Sequence, residues 1–242
     1  MNACHSYRKR GFTLIETLIA IGVLAVLLTG FMIVFGPAVA NIRKALNMEE
    51  MERISSTLQQ EMVTLRGGTA STKFKTGFAQ AFEWIRQSNT ANEALLVYQY
   101  RGSLSSIRAD GTPTPEPLIK NKLPGKDYAV LTMVRRKSDA KLSEDLAAVE
   151  GGVYLVKCTQ LVFADGQLKQ ATPGVIADPR GKGGNASSAD DYPEAVIAFA
   201  ADFFAMPSRK SSFFGSAGGF SKTFVALKNK KPVFSRNLAV RR

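Results

Sequence analysis

The chain has 242 residues, 45% apolar and 21% charged, an ordinary balance for one or two globular domains. It contains a single histidine, His5, and two cysteines, Cys4 and Cys158, too few for a disulfide framework or a cluster of Cys/His metal ligands. The formal charge of +12 is unevenly placed: Phe12 to Asp202 balance 20 cations against 20 anions, Arg8, Lys9 and Arg10 precede them, and Phe203 to Arg242 hold cations and no acid.

The first element is the stretch Arg8–Ile42. After the three cations and Gly11 comes an apolar run broken only by Glu16, and Thr17 to Ile42 carry no charged side chain. At ~1.5 Å rise per residue, about 20 residues of helix cross a bilayer's hydrocarbon core, so the run reads as a membrane span at about 14–40. A secretory signal peptide would place its small-residue cleavage site after the run, where Ala38 and Ala40 stand, and would not carry an acid one turn into it. A lipoprotein signal would put its cysteine after the run, whereas Cys4 precedes it. A carboxylate in lipid costs ~2.5–3.5 kcal/mol on insertion scales and marks a functional position.

Gly11-Phe12-Thr13-Leu14-Ile15-Glu16 resembles the cleavage and methylation motif of type IV pilins and type II secretion pseudopilins. The resemblance implies that residues 1–11 are a basic leader, oriented by Arg8, Lys9 and Arg10, and that prepilin peptidase cuts between Gly11 and Phe12 and methylates the new amine of Phe12. It implies that Glu16, fifth in the mature chain, pairs with the amino terminus of a neighbouring subunit during assembly. The implied partners are other pilin or pseudopilin subunits, prepilin peptidase and an inner-membrane assembly platform, with the head outside the cytoplasm. Cleavage would remove Cys4 and His5, leaving Cys158 without a disulfide partner and no histidine for Ser-His or Cys-His catalysis. A non-enzymatic structural subunit, of minor type given its length, is therefore the expectation.

Within the span, Gly36-Pro37 predicts a kink. Beyond it, Met51, Ile54, Leu58, Met62 and Leu65 recur at steps of three and four, and Gly67-Gly68 marks the helix end. Phe74 to Ile85 shows helical spacing, with a short helix at 77–87. Ala94–Tyr100, Asp127–Arg136 and Val153–Ala164 read as strands, the last followed by a hairpin turn at Asp165-Gly166. The prolines between Gly102 and Pro117 argue for loop, 137–151 reads as a polar connection and 171–191 as a long loop. Pro193–Met206 fits a helix or a buried strand, and Pro193 with Glu194 tips the reading to helix. Phe220–Leu227 and Pro232–Val240 read as a terminal hairpin about Asn229-Lys230. The sum is α+β: a long N-terminal helix over 12–68, transmembrane in its first half, packed on the antiparallel sheet of a head spanning 69–242.

Two further sites suggest themselves. Asp178, Asp190, Asp191 and Glu194 could offer oxygens to calcium in the 178–194 loop, though solvated turn residues are the simpler reading and no metal or cofactor is expected. Lys228, Lys230, Lys231, Arg236, Arg241 and Arg242 could contact a polyanion, which gives an alternative function: a membrane-tethered binding protein for DNA or acidic glycan. Cys158, among apolar neighbours, reads as a buried small hydrophobe.

Overall fold

The computed structural model describes residues 13–67, 74–117, 121–180, 184–215 and 219–242. The chain divides into two compact units, Met1–Glu50 and Met51–Arg242. Helix α1, Leu14–Val63, runs through both. In its first part, Leu14–Ile33 is apolar on every side and none of it is buried. Its polar hydroxyls are satisfied within the helix: Thr29 Oγ1 donates to the Ala25 carbonyl at 2.8 Å. A helix with no polar face and internally satisfied hydroxyls is what lipid requires.

The second unit is built on a seven-stranded antiparallel sheet. Its elements are α2 (Gly77–Gln87), β1 (Leu95–Ile107), β2 (Pro113–Pro115), β3 (Tyr128–Arg136), α3 (Leu142–Ala147), β4 (Val149–Ala164), β5 (Gln167–Gln170), β6 (Val196–Ala205), α4 (Ser211–Phe214), α5 (Phe220–Ala226) and β7 (Phe234–Arg241). The path is β2-β1-β4-β6-β7, with β3 also on β1 and β5 on β4. Side chains alternate between two cores, as strand geometry demands. On one face Leu95, Val97, Val156, Phe199 and Phe203 pack with Ile54, Leu58 and Met62 of α1 and Phe78, Phe82 and Ile85 of α2. On the other, Leu96, Tyr98, Tyr100, Leu155 and Phe204 pack with Leu142 and Leu146 of α3, Phe214 of α4, and Phe220 and Phe224 of α5. The α+β expectation holds, and the sheet is covered on both faces rather than one.

Several expectations are corrected. Helix α1 ends at Val63, before Gly67. Its end is fixed by a side chain far along the chain: Gln80 Nε2 donates to the carbonyls of Glu61 and Met62 at 3.2 Å and of Thr64 at 3.0 Å. Gly77 lies so close that a Cβ there would stand 2.1 Å from the Val63 carbonyl oxygen. Residues 196–205 are strand, not helix, because β6 lies between β4 and β7 and buries both faces, which erases the alternation that would have marked it. Residues 220–226 form α5, not a hairpin arm: Phe220, Phe224 and Leu227 fall at i, i+4 and i+7 and face the sheet together. Strand β1 continues seven residues past Tyr100, and the proline-rich stretch supplies β2, whose prolines are tolerated because it pairs only with β1 among the described residues. The polar connection contains α3, and β4 begins at Val149. Helix α2, strand β3 and the β4–β5 hairpin lie where expected; Asp165 (φ 54°) and Gly166 (φ 74°) both take the left-handed conformation of a tight two-residue turn.

Replacing Gln80 with Leu strands buried carbonyls and should cost about 1–3 kcal/mol in urea unfolding of the full chain in detergent. Gly77→Ala should cost more, because backbone rather than a flexible side chain must move.

Candidate assembly site and charged sites of the head

Thr13 and Glu16 start α1 as a reciprocal pair. The Glu16 amide donates to Thr13 Oγ1 at 3.3 Å, while Glu16 Oε2 accepts from the Thr13 amide and hydroxyl, each at 3.4 Å. The Thr17 amide bonds to the Thr13 carbonyl at 3.1 Å, so Thr13 is the N-cap and Thr-x-x-Glu forms a capping box. The bonds to the carboxylate are long, near the weak limit of useful hydrogen bonds. Glu16 is exposed, and among the described residues no cation pairs with it. The arrangement therefore presents an exposed acid, unpaired among the described residues, at the start of an apolar helix. Arg8, Lys9, Arg10, Gly11 and Phe12 lie outside the described residues. Gly36 and Pro37 fall within α1, which is helical through both.

The six basic residues singled out near the C-terminus do not form one site. Arg236 reaches Glu52 of α1 at 3.1 Å. The Arg242 guanidinium donates to the carbonyls of Ala189 at 2.6 Å and Tyr192 at 3.2 Å and lies 4.8 Å from the Phe78 ring centroid, tying the long loop to α2. Lys228, Lys230, Lys231 and Arg241 are exposed, with no ion pair among the described residues. In the acidic loop, Arg180 stands between Asp178 at 3.6 Å and Glu194 at 3.0 Å. Ser187 and Ser188 donate to Asp191 and hold its carboxyl below the usual range, while Asp190 is exposed. Among the described residues no three His, Cys, Asp or Glu side chains are placed to hold a metal ion.

A charged cluster that the sequence did not announce sits in the head. Asp145, fully buried, receives the Tyr98 hydroxyl and Arg135 Nε on Oδ2, each at 2.6 Å. Its Oδ1 stands 2.8 Å from Arg108 Nη1, close enough for an ion pair but out of line for a hydrogen bond. Arg135 also reaches Asp139 at 2.9 Å and Asp110 at 3.1 Å, and Lys141 reaches Asp110 at 3.0 Å. Burial opposes ionisation of Asp110, but bonds from Thr112, Lys141 and Arg135 win and hold its carboxyl well below the usual range. Burial likewise opposes charge on Arg135, and the surrounding acids overcome it. Tyr98 is pushed well up by burial and by Asp145, so it stays a donor. The signals were faint: two arginines closing β3 and an Asp110-Gly111 turn with Gly111 at φ 76°. With its carboxylates ion-paired, the cluster clamps β1, β3 and α3.

Cys158 is fully buried, and burial pushes its thiol up to about 12.

Removing charge from one member of a buried ionic cluster costs about 3–5 kcal/mol, so Asp145→Asn should lower unfolding stability by that order. Because the folded Asp110 carboxyl is depressed, its contribution is complete above the unfolded value of ~3.9 and lost as pH falls below it. Stability should therefore drop below about pH 4, and Asp110→Asn should flatten that drop. Cys158 should resist iodoacetamide at pH 8 in the folded protein and react after unfolding, as mass spectrometry would show.

Residues 6–32 match the prokaryotic N-terminal methylation motif, the signature of type IV pilins and pseudopilins. That motif belongs to prepilin-processed structural subunits that are anchored in the membrane and assemble with other pilin subunits. Neither a curated protein nor a solved structure matches the chain.

Proposed function

We propose that this chain is a minor subunit of a type IV pilus-like or type II secretion pseudopilus filament. The observation that carries the reading is Glu16: an exposed carboxylate, without a cation partner among the described residues, at the head of an apolar helix that begins inside the methylation motif. Cleavage after Gly11 frees the Phe12 amine, mostly protonated at neutral pH with an ordinary value of ~7.7–8.0. That amine stands four residues before Glu16, about 6 Å of helix rise. A parallel helix shifted along the axis can present its amine to that acid. Each pair formed this way neutralises two charges in lipid and removes a cost that both subunits carry alone.

Arg8, Lys9 and Arg10 hold the leader on the cytoplasmic side by the positive-inside rule, which puts the head outside the cytoplasm. Prepilin peptidase and the inner-membrane assembly platform are the expected partners there. A bend at Gly36-Pro37 would let α1 adjust its direction as it leaves the bilayer. After cleavage, residues 12–242 would carry a head with two cores, large for a repeating shaft unit of this family, and that supports a minor subunit.

Mass spectrometry of the protein from cells should find methylated Phe12 as the first residue. Glu16→Leu should insert in the membrane at normal levels while its recovery in sheared filaments falls at least tenfold. Recovery at the parental level would overturn the role given to Glu16.

A further inference from the structure

Around α5 the head gathers cations that it does not neutralise. The Lys157 ammonium, from β4, lies 4.4 Å from the Phe224 ring centroid and 5.6 Å from that of Phe204; Lys137, just after β3, lies 5.5 Å from Phe220. Lys157 and Lys137 thus sit against the rings that α5 buries. Lys222 is exposed on α5 itself, and Lys228, Lys230 and Lys231 are exposed directly after it. None of these six has an ion pair among the described residues, while Arg66, Arg86, Arg108, Arg135, Arg136 and Arg236 elsewhere in this unit all do. A ring face attracts an ammonium by only ~0.5–2 kcal/mol and leaves its charge in place. The crowding is felt: burial and the neighbouring charge of Lys228 lower the proton affinity of Lys157, and Asp202 only partly offsets them.

We propose that this face binds the phosphate backbone of DNA. Six cations, none ion-paired among the described residues and with Asp202 opposite Lys157 as a partial counterweight, suit an evenly charged polymer. The aromatic side chains are not a stacking platform: Phe214, Phe220 and Phe224 are buried and, with the half-buried Phe213, pack on one another. Contacts made by lysine ammoniums to phosphates carry no sequence information, so binding is driven by counterion release. The site differs from the basic run visible in the sequence: Arg236 and Arg242 are spent on Glu52 and on loop carbonyls, and Lys137 and Lys157, far away in sequence, take their place.

The test uses the full-length chain in nanodiscs of zwitterionic lipid and fluorescence anisotropy with a labelled duplex. With about six phosphate contacts, affinity should fall about 10³-fold between 50 and 200 mM NaCl. Combining Lys228→Gln, Lys230→Gln and Lys231→Gln should weaken binding at 50 mM and reduce the salt effect to about 40-fold. Arg53→Gln with Lys126→Gln, which removes two charges away from α5, should leave both unchanged. No binding at 50 mM, or an unaltered salt effect in the triple variant, would overturn the assignment. So would displacement of the duplex by phosphatidylglycerol vesicles at lower phosphate concentration than by unlabelled duplex, which would assign the face to lipid. None of these results depends on filament incorporation, so the proposal stands or falls apart from the role of Glu16.

Discussion

One helix must satisfy two solvents. From Leu14 to Ile33 α1 presents apolar side chains in every direction and keeps its hydroxyls bonded to its own carbonyls. From Ile54 to Met62 the same helix presents a single stripe that is buried while Glu52, Gln59 and Gln60 stay exposed. The first pattern is stable only in lipid and the second only against a sheet. The change from one to the other dictates where the head can attach and why it attaches through few, fully buried residues. Burying Ile54, Leu58 and Met62 contributes about 1.5–3 kcal/mol each, enough to hold a helix of this length to its sheet.

Where a segment faced one apolar and one polar environment, its periodicity made it legible: α2, β3 and the buried stripe of α1 stand where the spacing of their apolar residues puts them. The β4–β5 turn was legible for a different reason, since Asp165-Gly166 supplies the backbone conformation that the turn requires. Strand β6 was not, because a strand buried on both faces is apolar throughout and resembles a buried helix. The end of α1 was set by Gln80 and not by the glycines after it, a contact no local rule contains. At the candidate assembly site, the motif around Gly11 and Glu16 was plain from the residues themselves, while the reciprocal bonding of Thr13 with Glu16 was legible only in the fold.

Charge is handled in two opposite ways in the head. Around Asp145, acids and bases from β1, β3, α3 and the Asp110 turn are buried and matched, so the cluster gains geometry at the cost of desolvation. Around α5 the cations are left unmatched at the surface. Both arrangements draw on β3: Arg135 serves the first and Lys137, two residues on, the second.

The core shared by α1, β6 and β7 has a consequence for timing. Ile54 and Leu58 share that core with Phe199, Phe203 and Val240, and Gln59 bonds to the Ala239 carbonyl 180 positions later at 2.7 Å. Synthesis proceeds from the other end, at about 5–20 residues per second. Local pairs such as β1 with β3 can zip early and α2 can meet the stripe on α1, but that core is complete only when the last strand has emerged. For that interval a membrane-held nascent chain shows a half-covered apolar seam to whatever surrounds it. Holdase chaperones would find their target in the seam of Ile54, Leu58 and Met62.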